Sequence, residues 1–230
     1  MSHSRGHSGE KILDSVRNIA IFASGRGTNA LNIVNFVEQN CSGLRVVCLI
    51  CDLEDAPVLN LLRGRGVDLR VISSKGLSKE EHEQRIWSVL DSFDIDWILL
   101  AGYMRILSKE FIAKGIPIVN IHPSLLPLYP GLHSYKKSFE NRDEFSGATI
   151  HLVDEGVDTG AIILQKKFPR LRSDSFDQFR RRGLENEYEL YRLFLYFLNK
   201  SDSKVYSLIN YFTGEKRDEQ LSSGGLSKGL

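Results

Sequence analysis

The sequence lacks the features that would commit it to a membrane, an oxidising compartment or a nucleic acid. No apolar run approaches the roughly 18 to 20 residues of a membrane span. The first sixteen residues are polar and hold no apolar signal-peptide core. There are only three cysteines, which cannot all pair. Cys48 and Cys51 form a C-x-x-C, but within the apolar run Val46 to Cys51, where side chains three apart point to opposite faces of a strand. They read as buried structural thiols in the reducing cytoplasm rather than as a redox or zinc pair. Lys and Arg total 30 against 29 Asp and Glu, a net charge of +1, so no global field recruits nucleic acid or an anionic membrane. Any anionic ligand must be caught by a local site. No H-E-x-x-H, paired C-x-x-C or EF-hand pattern occurs, and no metal is expected.

Proline is also scarce, and its placement is uneven. Three of the six prolines, Pro123, Pro127 and Pro130, fall within eight residues. Each fixes its own φ and restricts the residue before it, so this loop is stiff. The strand-like run Ile116 to Ile121 feeds directly into it, placing Asn120 and His122 at its mouth. A rigid loop presenting an amide and an imidazole suits catalysis, although a proline-rich surface loop with an incidental histidine has the same appearance.

Apolar runs alternate with helical patterns through the first half. Strands are expected at Asn18–Ala23, Leu44–Cys51, Val67–Ile72, Trp97–Ala101 and Ile116–Ile121. Helices are expected at Asn29–Gln39, at Ala56–Arg65 and from Ser78 to about Phe93, the last opened by the capping-box spacing Ser78 to Glu81. This pattern predicts a Rossmann-like α/β fold, a parallel sheet with helices on both faces. Thr149–Val153 and Ile162–Phe168 follow with no helix between them, which extends the sheet by antiparallel strands. A long amphipathic helix spans about Asp174 to Leu198, with Gly183 as a candidate kink, and a last strand is expected at Lys204–Leu208. One domain thus covers residues 17–200. Residues 1–16 read as a disordered leader, and 201–230 as a partly disordered extension.

After the first strand comes Ser24-Gly25-Arg26-Gly27-Thr28-Asn29-Ala30. Glycines at a helix N-terminus let backbone N–H groups approach a phosphate. Gly25, Gly27 and Ala30 also satisfy a G-x-G-x-x-[GA] dinucleotide fingerprint, with Asp52 near the ribose-binding position. Phosphate cradle, dinucleotide site and plain turn all remain open on this motif. His151, within a strand, reads as a satisfied core residue or as support for a catalytic one. The loop Asp154-Glu155-Gly156-Val157-Asp158-Thr159-Gly160 is either an acidic turn or a carboxylate aimed at a histidine.

Four blocks together resemble the phosphoribosylglycinamide formyltransferases. They are S-G-R-G-T-N at 24–29, L-A-G-Y-M-R-I-L at 100–107, N-I-H-P-S-L-L-P-L-Y-P-G-L-H at 120–133 and H-L-V-D-E-G-V-D-T-G at 151–160. The resemblance spans about Arg17 to Leu198. It implies formyl transfer from 10-formyltetrahydrofolate to the amine of 5′-phosphoribosylglycinamide, in purine synthesis, by a monomer or homodimer. By the same resemblance, Asn120, His122 and Asp158 are catalytic. Gly27, Thr28, Asn29 and Glu187 meet the ribotide. Met104, Arg105, Ile106 and Leu107 line the folate pocket with Asn120, the loop from Asp154 closes over the pterin, and Lys79 aligns with a residue for the folate tail. The last helix departs from the family pattern, reading Glu187-Tyr188 and Tyr191-Arg192 where Glu-His and Tyr-Pro are usual. The alternatives are a formyltetrahydrofolate hydrolase, using the same three residues with water as acceptor, and an NAD-dependent dehydrogenase.

Overall fold

A computed structural model describes residues 16–213. Seven strands form one sheet: β1 (Arg17–Ala23), β2 (Leu44–Cys51), β3 (Asp68–Val71), β4 (Trp97–Leu100), β5 (Ile118–His122), β6 (Phe145–Leu152) and β7 (Ile162–Pro169). Their order is β3-β2-β1-β4-β5-β6-β7. The pairings from β3 through β5 are parallel, and β6 and β7 add on antiparallel. The central strands are apolar on both faces because both faces are covered. Along β1, Ile19, Ile21 and Ala23 enter one core cluster while Ala20 and Phe22 enter the other. Cys51 and Cys48 divide between the same two clusters, as opposite-facing strand positions must. Burial pushes the Cys48 thiol up to about 12, so it is not a nucleophile near neutral pH.

The helices are α1 (Thr28–Asn40), α2 (Pro57–Leu62), α3 (Lys79–Leu90), α4 (Lys109–Ile112), α5 (Ser134–Glu140), α6 (Phe176–Lys200) and α7 (Asp202–Thr213). The expected capping box opens α3, and a second, from Ser175 and Gln178, opens α6. The first face carries α1 and α6, whose Ile33, Leu190, Tyr191 and Phe194 are buried there. The other carries α3 through Ile86 and Leu90.

The last strand expected at Lys204–Leu208 is instead part of α7. The run V-Y-S-L has strand-like composition, but its packing follows a helical period. Val205 is fully buried, and Leu208 packs against the same cluster. At the start of α7, Asp202 accepts hydrogen bonds from Arg17 (2.8 Å) and Trp97 (3.2 Å). The short helices α4 and α5 were not anticipated, and β6 begins at Phe145 rather than Thr149. The leader lies outside the described residues except Val16, as does the chain beyond Thr213.

Strand order reverses beside β1, where β2 lies on one side and β4 on the other. Crevices at such switch points, beyond the carboxyl ends of the strands, are where ligands bind in open α/β sheets. The glycine turn after β1, the 100–107 segment after β4 and the Asn-x-His end of β5 all project there.

Candidate active site

Asn120 and His122 occupy alternate positions on β5, so both side chains leave the same face of the sheet. His122 is only 4% exposed because the proline-rich loop folds back across it. Its Nε2 lies 2.8 Å from the carbonyl oxygen of Tyr129 and 3.1 Å from Oγ of Ser134. Leu126–Pro127 is a cis peptide, and Leu126 N–H donates to Thr149 Oγ1 (3.1 Å), whose hydroxyl in turn donates to the Ser124 carbonyl (2.7 Å). Tyr129 takes a left-handed φ of 53°, which aims its carbonyl at the imidazole. Such a conformation in a bulky residue persists only where its surroundings enforce it.

The acid arrives from the β6–β7 loop. Oδ2 of Asp158 stands 3.0 Å from His122 Nδ1 and accepts from Gly131 N–H at 2.8 Å. Oδ1 faces His151 Nε2 at 3.5 Å and Asn120 Nδ2 at 3.4 Å. Burial pushes the Asp158 carboxyl upward, but the contacts with the His122 ring and the Gly131 N–H outweigh it and hold the group well below the usual carboxylate range. His151 donates from Nδ1 to the Leu152 carbonyl (2.8 Å), which leaves Nε2 to accept from the Asn120 amide at 3.3 Å. The Asn120 NH₂ is therefore held between His151 and Asp158 by two long, weak bonds, from which a better acceptor can take it.

Ser134, His122 and Asp158 lie at distances that resemble a nucleophilic triad. Ser134 is only 2% exposed, however, and its hydroxyl sits between the carbonyls of Tyr129 (3.0 Å) and Gly131 (2.9 Å). It pins the loop and offers no attacking oxygen.

The glycine turn forms a second wall. Gly27 has φ 75°, and a Cβ there would fall 2.8 Å from the Val58 backbone, so both conformation and space require glycine. Thr28 opens α1. Asn29 Nδ2 donates to Glu187 Oε2 (2.6 Å), while Tyr135 Oη donates to Glu187 Oε1 (2.7 Å). Burial raises the Glu187 pKa, against the lowering effects of Tyr135, Asn29 and His122. Asn29 Oδ1 is buried without a hydrogen-bond partner.

The third wall is the segment after β4. Met104 N–H donates to Ser24 Oγ (2.9 Å), tying that segment to the glycine turn. Arg105 donates to Ser74 Oγ (2.7 Å). Met104 and Ile106 are exposed, at 66% and 61%, whereas the Leu107 side chain is buried in the core. Asp154 shapes its own loop, accepting from Gly156 N–H (3.1 Å) and Thr159 Oγ1 (2.7 Å). Lys79 opens α3, outside the hydrogen-bond network that joins the other residues.

This constellation has known counterparts. Residues 17–195 match the model of the formyl transferase family. Phosphoribosylglycinamide formyltransferase of Haemophilus influenzae is 34% identical over 202 residues, covering 87% of this chain and 95% of the relative. The chain belongs to the phosphoribosylglycinamide formyltransferase family. The Escherichia coli formyltransferase is 32% identical over 205 residues, 88% of this chain and 97% of that one. Among solved structures, glycinamide ribonucleotide transformylase 1 of Symbiobacterium toebii superposes with a TM-score of 0.77 at 32% identity, covering 84% of this chain and 93% of that chain. This formyltransferase is thus an enzyme with the fold that its strand pattern implied. Neither the hydrolase nor the dehydrogenase alternative gains support from these relatives.

Within this frame, Asn120, His122 and Asp158 converge. Gly27 and Thr28 lead into Asn29, which converges with Glu187. Three further residues of the site were not singled out from sequence, or not for this role. His151 faces Asn120 across the β5–β6 ladder, a register invisible before strand pairing is known. Ser134 and Tyr135 begin a short helix that carries no strong periodic signal.

Proposed function

We propose that this formyltransferase moves the formyl group of 10-formyltetrahydrofolate to the amine of 5′-phosphoribosylglycinamide. The observation that carries this reading is the meeting of Asn120, His122 and Asp158 beside the glycine turn. The ribotide phosphate occupies the turn at Gly27, Thr28 and Asn29, where the N-terminus of α1 favours an anion. Asn29 Oδ1 and Glu187 offer acceptors to the hydroxyl and amine groups of the same ligand. The folate lies along Met104–Leu107 under the Asp154–Asp158 loop, with its tail toward Lys79. It is a co-substrate, and no step calls on a metal. Among the described residues no group of three or more His, Cys, Asp or Glu side chains is placed to hold one. Among the described residues, too, no helix is long and apolar enough to cross a membrane. The free, buried Cys48 and Cys51 suit a reducing cytoplasm.

In the reaction the amine nitrogen forms a bond to the formyl carbon, whose oxygen gains negative charge. Asn120 turns its N–H from the weak contacts with His151 and Asp158 to that oxygen, and one such donor lowers the barrier by about 3 kcal/mol. Both ring nitrogens of His122 face acceptors, Asp158 Oδ2 at Nδ1 and the Tyr129 carbonyl at Nε2, and these fix the ring's orientation. The proton leaving the attacking nitrogen passes to the folate N10 through His122 or a water it orients, as the bond from the formyl carbon to N10 breaks. Ser134 is sealed between two carbonyls, and the proposed transfer runs directly from donor to acceptor. The test is a coupled assay with the formyl donor, with and without ribotide. Turnover that requires the ribotide supports the reading, whereas loss of formyl without it would indicate a hydrolase.

A further inference from the structure

We infer that Tyr135 is a positioning residue for the ribotide end of the site, holding the Glu187 carboxylate in its receiving orientation, and that Gly183 is glycine to make room for its ring. This rests on the function proposed above. Gly183 and Glu187 lie one turn apart on α6 and so share a face. The Tyr135 ring crosses that face. A Cβ on Gly183 would fall 2.6 Å from its Cε1 and 2.7 Å from its Oη. A glycine inside a helix is disfavoured relative to alanine. Here the close approach explains it, and α6 continues unbroken through that position rather than ending there.

The ring is fixed on its other sides by Phe168 (centroids 6.3 Å apart) and Phe179 (6.1 Å). From this seat its hydroxyl donates 2.7 Å to Glu187 Oε1, while Asn29 serves Oε2. Both donors are neutral, so they orient the carboxylate without cancelling its charge. Its remaining lone pairs, and the unpartnered Asn29 Oδ1, are left for a ligand that brings hydrogen-bond donors. A ribose diol or an amine supplies these. Tyr135 directly follows Ser134, which braces the His122 imidazole, so the first turn of α5 steadies both ends of the site at once.

The test is Tyr135→Phe, which keeps the ring and removes only the hydroxyl. A hydrogen bond to a charged group is worth about 10-fold or more in binding. The Kd of the ribotide alone, by calorimetry, and its KM should both rise about 10-fold, with kcat and the KM of the formyl donor changing by less than about 2-fold. Gly183→Ala should reproduce the ribotide-specific defect, and if it does not fold, Tyr135→Phe decides alone. An unchanged ribotide Kd in Tyr135→Phe, with normal binding by the unsubstituted protein, overturns this inference only. So does an equal loss toward both substrates, which would mark a merely structural role. Failure of the unsubstituted protein to bind the ribotide overturns the proposed function and this inference together.

Discussion

Oδ2 of Asp158 stands 3.0 Å from Nδ1 of His122, although the two residues arrive from different strand ends and Asp158 takes a left-handed φ of 56° to get there. Aspartate tolerates that conformation better than most residues. The pairing orients the ring. Replacing either partner should therefore remove proton transfer without unfolding the chain. We expect His122→Ala and Asp158→Asn each to lower kcat by about 10²- to 10⁴-fold, with native circular dichroism. Near-full turnover by a folded variant of either kind would refute the mechanism.

The ionisation of Asp158 sets a pH window. Its folded pKa lies below the value of about 3.9 for a free aspartate, so its ionised form stabilises the fold above that value. That contribution is lost as pH falls below about 4. The stability difference between the protein and Asp158→Asn, measured by urea unfolding, should be flat from about pH 5 to 9 and shrink only at more acid pH. A difference that changes around pH 6 to 7 would assign the ionisation to another group.

Glu187 behaves in the opposite sense. Burial raises its pKa above that of a free glutamate, so the folded state binds its proton more tightly than the unfolded chain does. Stability is greatest below the unfolded pKa and declines as pH rises through the folded one. Glu187→Gln removes this decline. Asn29 can flip its amide so that the now unpartnered Oδ1 accepts from the new NH₂. The variant should melt no lower than the parent at pH 7.5, yet bind ribotide at least about 10-fold more weakly. A large loss of melting temperature would show that the carboxylate is needed for folding rather than for substrate.

Gly27 meets two separate obstacles to substitution, its φ of 75° and the Val58 backbone. We expect Gly27→Ala to destabilise the protein by about 2–5 kcal/mol in urea unfolding, summing about 1–2 for the left-handed backbone and about 1–3 for overpacking. Adding Val58→Ala should restore only part of this, because the dihedral strain and the clash with the Val58 backbone remain. Full restoration would mean the side-chain clash alone was responsible.

Ligand protection separates the readings of the glycine turn. A ligand at about 100 times its Kd stabilises the folded state by about 2.7 kcal/mol. Phosphoribosylglycinamide should raise the melting temperature by several degrees, and NAD should not. The reverse pattern would restore the dinucleotide reading.

Much of the architecture was legible in the sequence because a buried parallel strand must be apolar on both faces, as in the runs that became β1, β2 and β4. Local chemistry was equally plain: Ser78 and Glu81 capped the helix they predicted. These signals depend on neighbours in the chain. The strand expected at Lys204–Leu208 failed because composition there suits a strand, whereas burial of Val205 against distant elements selects a helix.

Residue types and their order determined the parallel core and marked Asn120 and His122 as notable. Only tertiary structure could decide that His151 faces Asn120, that Ser134 is sealed and no nucleophile, and that Gly183 yields space to Tyr135. Those facts come from strand register and side-chain packing between segments far apart in the chain, and one sequence carries no local periodicity that encodes them.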